Sequence, residues 1–370
     1  VRIDTIEKTI QLASPHMFGI VKTDSTSEWA GRNTGYFAYN LLEELDVNNE
    51  YFIDSETHDL YCLADDDFDQ HVFTISVLKS PMLIFKNTAN ITFRGINFEY
   101  GRGIGINTEN SYNIKISNAT IRNFGTLAVM MGKGISGAEY PIHEFTGFLK
   151  PGVVGNLKAH QYKNTGFCND PGKNIVIENC RIYNTGSGGI VLSGGRRERL
   201  EPGNNVVKNC EIYNFNRRNK TYCAGITIYG VANKVSHCYI HDAPHQGIAL
   251  FGNEHCIEYN RFEHLVMDVH DNSAIYMGRN PSERGNVIRY NYFCELGREG
   301  YKNAAIHLDD GASDVSVFGN VFYRASKSDF ADIILNGASD ICIDNNIFIE
   351  GAHALWIEEP LRSDSDMYGS

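Results

Sequence analysis

The chain has 370 residues, 42% of them hydrophobic and 21% charged, and a formal net charge of −12. This is the balance of a folded protein with a sizeable core, and its negative charge argues against nucleic acid or an anionic membrane as partner. No run approaches eighteen apolar residues, so no membrane-spanning helix is expected, and the nine cysteines show no CxxC or Cys/His spacing that would predict a metal site.

Residues 1–80 carry no repeat and read as a β-rich lead-in, or as the end of an inserted subdomain. Val1 to Leu12 alternates as one strand through Ile3, Thr5, Ile10 and Leu12. Farther on, Asp54-Ser55-Glu56-Thr57 predicts a hairpin turn between YFI and LYCL. Nothing here caps a solenoid, so either this region folds over the first coil or upstream coils are missing.

From about residue 81 to 360 one template recurs. An apolar marker falls on Phe98, Ile121, Ile182, Ile212, Ile240, Phe262, Phe293, Phe322 and Phe348. Five positions earlier stand Phe93, Ile116, Ile177, Val207, Val235, Ile257, Ile288, Val317 and Ile343. The position two before the marker holds Cys180, Cys210, Cys238, Asn260, Asn291, Asn320 and Asn346. A fixed apolar register at a period mostly in the twenties means stacked coils, and alternation within each coil means strands. Coils in one register pair in parallel, which predicts an all-β protein: a right-handed parallel β-helix with stacked asparagine amides and small interior cysteines. A β-sandwich or propeller is the lesser alternative, and residues 361–370 read as a tail. Two excursions interrupt the coils: Gly134 to Lys173, as a cleft wall or surface loop, and Ser193 to Gly203, with three arginines that either clamp a ligand or are solvated.

The last strand of each coil aligns on Ile190, Ile226, Ile248, Ile275, Ile306, Ile333 and Leu355. Alternation then places Tyr276, His307 and Trp356 in one outward column, and Gly278, Asp309 and Glu358 in the next. Aromatics, a histidine and acids on adjacent strands suit a carbohydrate, with Gly278 as a notch beside Asp309. The corners add His245, Asp271, Arg279, Arg284 and Asp310.

The phrases TGSGGIVLSGG, HDAPHQGI, DNSAIYMGR, RGNVIRYNYF, IHLDDGAS and GNVFYR, with the earlier GYFAYNLLEELDVNNEYFIDSETHDLYCL, resemble glycoside hydrolase family 141. The resemblance covers most of the chain. It implies a β-helix enzyme acting on fucosides or xylan, with aspartates at Asp271 and at Asp309 or Asp310; His307 stands where tyrosine is expected. The expected function is therefore hydrolysis of a glycosidic bond in a plant- or algal-type polysaccharide. Asp271, Asp309 and Asp310 are the catalytic candidates, and His245, Tyr276, Arg279, Arg284, His307, Trp356 and Glu358 would bind substrate without a cofactor. On a straight strand Asp271 and Asp309 are too far apart for an acid pair, so Glu263–Asn272 must fold over the outer face. Otherwise Asp309 partners Asp310 or Glu358. The rival readings are a polysaccharide lyase or uronate epimerase, which calcium could assist, and a non-catalytic carbohydrate-binding solenoid. The substrate class implies a secreted or periplasmic protein, although no signal peptide is visible and the chain begins at Val1.

Overall fold

The computed structural model describes residues 2–11, 40–64, 68–132, 170–327 and 330–358. These fall into two compact units, one reaching Ile75 and the other beginning at Ser76. The first holds two short antiparallel pairs, Arg2–Asp4 with Thr9–Gln11 and Tyr51–Ile53 with Leu60–Cys62. The single strand expected over the first twelve residues is thus a hairpin. Asp4 Oδ1 accepts the N–H groups of Ile6 (3.0 Å) and Glu7 (2.9 Å), an Asx turn that alternation does not reveal. Asp54 does the same for Glu56 and Thr57 in the second hairpin, at the turn the sequence predicts.

The second unit is a parallel β-helix with three long sheets, one strand of each per coil. Sheet 1 runs from Leu83–Lys86 to Leu355–Glu358 and has ten strands. Sheet 2 runs from Ala89–Arg94 to Ser339–Asp344, and sheet 3 from Phe98–Glu99 to Ile347–Ile349. The apolar markers meet in register along sheet 3, Ile182 on Ile212, Ile212 on Ile240, and onward to Phe322 on Phe348. Their rings stack at 4.8 Å between Phe262 and Phe293 and at 5.0 Å for the next two steps. The second column lies in register along sheet 2, with Ile177 on Val207 and Ile288 on Val317. Both columns point into one continuous core.

The bend between sheets 2 and 3 needs one residue with positive φ in each coil. Asn118, Asn179, Asn209, His237, Tyr259, Tyr290, Gly319 and Asn345 supply it. Asparagine tolerates that conformation best among side-chain-bearing residues, which accounts for its abundance there. The next residue turns inward. Asn260, Asn291 and Asn320 each donate from Nδ2 to the Oδ1 of the following rung at 3.0 Å. Those oxygens also accept the preceding rung's backbone N–H at 2.9 Å, so the bend's buried amides are satisfied. Cys180, Cys210 and Cys238 continue the column, buried and unbridged.

Of the excursions, residues 134–169 and the tail at 361–370 lie outside the described residues. The Ser193 to Gly203 stretch folds as an antiparallel pair, Gly195–Arg196 with Glu201–Pro202. Its Arg197 is neither solvated nor a surface clamp. It is buried, donating to Asn253 Oδ1 (2.9 Å) and Ser282 Oγ (2.8 Å) and facing Glu283 at 3.4 Å.

Candidate active site

Most of the candidate residues lie on or beside sheet 1, where two of its strands lengthen. Asn272–Gly278 and Asn303–Asp309 are seven residues each and pair with Tyr276 opposite His307 and Gly278 opposite Asp309. Ile275 and Ile306 point into the core, so Tyr276, His307 and Asp309 project from the outer face. That face is covered: Tyr276, His307 and Asp309 are 7%, 4% and 5% exposed. Toward the N-terminal coils it continues as a separate apolar cluster that includes Val191, Tyr229 and Phe251.

Asp309 is the hub. Its Oδ2 accepts from Tyr276 Oη at 2.7 Å and from Arg279 Nη2 at 3.2 Å, and its Oδ1 accepts from Asn336 Nδ2 at 2.7 Å. The other terminal nitrogen of Arg279 reaches Asp310 Oδ2 at 2.6 Å. One guanidinium therefore bridges both carboxylates and keeps them within the span of about 10 Å that separates paired carboxyls in glycosidases. Burial pushes the Asp310 carboxyl up first, and the Asp309 charge adds to it; Arg279 and His307 oppose the shift. Burial likewise raises the Tyr276 phenol well above its usual value, keeping it a neutral donor to Asp309.

His307 lies edge-on to Tyr276, with ring centroids 5.7 Å apart, and its Nε2 is 3.6 Å from Asp309 Oδ1. Among the described residues neither ring nitrogen has a hydrogen-bond partner. His245 is fully buried at the start of its coil's sheet-1 strand. Its Nε2 accepts from Asn272 Nδ2 (3.0 Å), and burial lowers its pKa to about 3. Asp271 is exposed and held by its backbone N–H on Lys302 O (2.7 Å). Its charge is the last of those raising Asp310, and it adds to the rise that burial gives the half-buried Tyr222 phenol.

Two expectations need correction. Gly278 is not a notch, because a Cβ there would lie 2.6 Å from Asp309 O and 2.9 Å from Asp309 Cβ. The space belongs to Asp309, and glycine permits its close approach. Arg284 does not join the cluster; it donates to Ser313 Oγ (2.8 Å) and Asp340 Oδ2 (2.9 Å) at the edge of sheet 2. Trp356 and Glu358 continue the outward columns, opposite Ile334 and Asn336, one coil beyond Asn336 and two beyond Asp309. Trp356 is 37% exposed, with Phe330 as its ring neighbour at 6.1 Å. Asn336 is the hub residue that sequence reasoning passed over, although it stands in the Asp309 column. Tyr222 sits in a corner without register, so no periodic signal marks it.

The stacked sheets and this outer-face cluster define a right-handed parallel β-helix with a polar, acid-bearing site. The family of that fold, the right-handed beta helix region, matches residues 69–223 and 224–359, and the chain belongs to it. No curated protein sequence matches significantly. Similar solved structures include an alginate lyase from Paenibacillus sp. str. FPU-7, at 13% identity and TM-score 0.48, over 76% of this chain and 93% of that one. Another is XylC in complex with xylose, at 13% identity and TM-score 0.44, over 88% of this chain and 67% of that one. A third is the full-length tailspike protein 2 of Escherichia coli O157:H7 bacteriophage CAB120, at 12% identity and TM-score 0.45, over 75% and 37%.

Proposed function

We propose that the protein is a glycoside hydrolase acting on a fucoside- or xylan-like plant or algal polysaccharide, with its acid pair at Asp310 and Asp309. The observation that carries this reading is the Arg279 bridge between two carboxyls in different surroundings, Asp309 at 3.2 Å and Asp310 at 2.6 Å. Asp310, raised by burial and by its neighbour's charge, suits proton donation to the leaving oxygen. Asp309, fixed as an acceptor by Tyr276, Arg279 and Asn336, suits the role of nucleophile or base. Asp271 is a third carboxylate, at the strand's entry, whose charge adds to the rise of Asp310, and His245 bonds Asn272, the next residue. Tyr276, Arg279 and His307 would orient the sugar; Trp356 and Glu358 would extend contact by two coils.

A second reading rests on His307. A buried imidazole with both nitrogens unbonded among the described residues suits a general base, and Arg279 suits a substrate carboxylate, as β-elimination by a lyase requires. One experiment separates the two: incubation with nitrophenyl glycosides and plant polysaccharides, followed by product analysis. Hydrolysis yields new reducing ends with no unsaturated product. Absorbance from a new double bond would overturn hydrolysis in favour of elimination.

A further inference from the structure

The corners that lead from sheet 3 into sheet 1 border an open groove of about 670 Å³, on the two coils that carry Tyr276 and Asp309 and on the coils before them. Five consecutive coils contribute to it. Its charged lining is Arg217, Lys220, Asp242, His264, Asp268 and Arg298, over an apolar floor that includes Phe215 and Pro244. The charges do not cancel. Asp268 is held by Arg298 at 2.8 Å and by Lys220 at 3.7 Å, and Asp242 faces His264 at 3.2 Å. Arg217 has no side-chain partner among the described residues.

Among the described residues, three permanent cations against two carboxylates leave one positive charge in this groove of a protein whose net charge is −12. The backbone under that charge is fixed. Asn216, Arg217, Arg218 and Asn219 donate their N–H groups to Ser187, Thr185 and Gly186 carbonyls at 2.6 to 3.1 Å. Asn216 Nδ2 also donates to Cys223 O at 2.6 Å, and Asn219 Nδ2 to Ser187 Oγ at 2.9 Å. An already ordered loop loses little backbone entropy on binding, and the guanidinium fork matches a carboxylate.

We infer that this groove is a subsite for a single uronic acid residue on an otherwise neutral saccharide, with Arg217 as the carboxylate ligand. One surplus charge neutralises one anion. A polyanion with a charge on every ring would be repelled by Asp242, Asp268 and the protein's overall field. The inference rests on the carbohydrate reading of the Asp309 site, but it concerns binding, so it is tested without turnover.

Calorimetric titration with glucuronic-acid-substituted xylotriose, unsubstituted xylotetraose and a monosulfated neutral oligosaccharide provides the test. The wild-type protein should bind the acidic sugar more tightly than the neutral one. Arg217→Ala should weaken only the acidic sugar, by about tenfold, the loss expected for one charge-assisted hydrogen-bonding group. Arg217→Lys should lose part of that, and Arg324→Ala, distant on sheet 3, none; melting curves confirm that each variant folds. Repeating the titrations in the Asp310→Asn background, which removes turnover, reads the subsite whether or not the Asp309 site hydrolyses, and so separates a failed hydrolase reading from a failed subsite. Equal affinity for acidic and neutral sugars, no binding of the acidic sugar, an unaltered Arg217→Ala titration, or a response confined to the sulfated sugar would overturn the assignment.

Discussion

Arg279 shows how much one residue can organise. It has left-handed φ (77°), directly after the glycine that lets Asp309 approach, and from there it reaches both Asp309 and Asp310. The sequence places Tyr276, His307 and Asp309 correctly because their strand has period two, and period two is visible in a string of letters. It cannot say that Gly278 is filled by its neighbour, or that Arg284 turns away to Ser313 and Asp340, because corner residues follow no period. Asp309→Asn keeps the size of the hub while removing its charge. Turnover on a confirmed substrate should fall by about 10²–10⁴, as for loss of an acid–base partner, with substrate binding retained. Asp271→Asn, which leaves the Arg279 bridge intact, should cost far less. Steady-state kinetics on both variants decide whether Asp271 or Asp310 partners Asp309; a larger loss at Asp271 would move the acid to the strand's entry.

At the scale of the element, the coil is legible because its core columns repeat without exception and its bend carries a recurrent left-handed residue. Ile212 is fully buried between Ile182 and Ile240 in sheet 3. Ile212→Asp puts an unpaired carboxylate between coils, a cost on the order of 4 kcal/mol or more, and should abolish cooperative folding or soluble expression. Glu211→Asp, one position outward beside Arg181, should melt close to wild type. Thermal unfolding of the pair checks the register; equal losses would break it. The thiols of Cys180, Cys210 and Cys238 should label slowly in the native protein and rapidly after denaturation, because they are 1% to 2% exposed. Fast native labelling of all three would contradict the column. The hairpin at Arg2–Asp4 and Thr9–Gln11 was not legible, since Asp4 makes its turn with side-chain bonds that mimic no repeat.

For the whole molecule, the same burial that shapes the solenoid also gives it a pH dependence. His255 is buried, its Nδ1 accepting from Asn233 N–H (3.0 Å) and its Nε2 bonded to Phe251 O (2.9 Å), and burial lowers its pKa to about 4. His245 is lowered to about 3 by burial alone. Both stay neutral in the fold, whereas the unfolded chain takes up protons below about pH 6.5, so their contribution is complete above that pH and is lost as pH falls. Each histidine should remove about 1.4 kcal/mol per pH unit between its unfolded and folded values. Burial acts the other way on Glu283, raised to about 8, and on Asp332, raised to about 6, which add stability as pH falls. The histidine effect is therefore read as a difference: wild type should lose more melting temperature than His255→Gln between pH 6.5 and 4, and equal losses would show that His255 contributes nothing.

The proposed chemistry needs Asp310 as the proton donor beside a fixed Asp309, and a ratio of two rates tests it. A general acid matters most when the leaving group is poor, so Asp310→Asn should slow hydrolysis of an unactivated polysaccharide by about 10²–10⁴. The same variant should lose far less on the corresponding nitrophenyl glycoside, whose leaving group departs without a proton. The measurement is the ratio of the two rates, variant against wild type. A ratio shifted strongly toward the nitrophenyl substrate is the predicted result; equal losses on both substrates, or no loss on either, would contradict it.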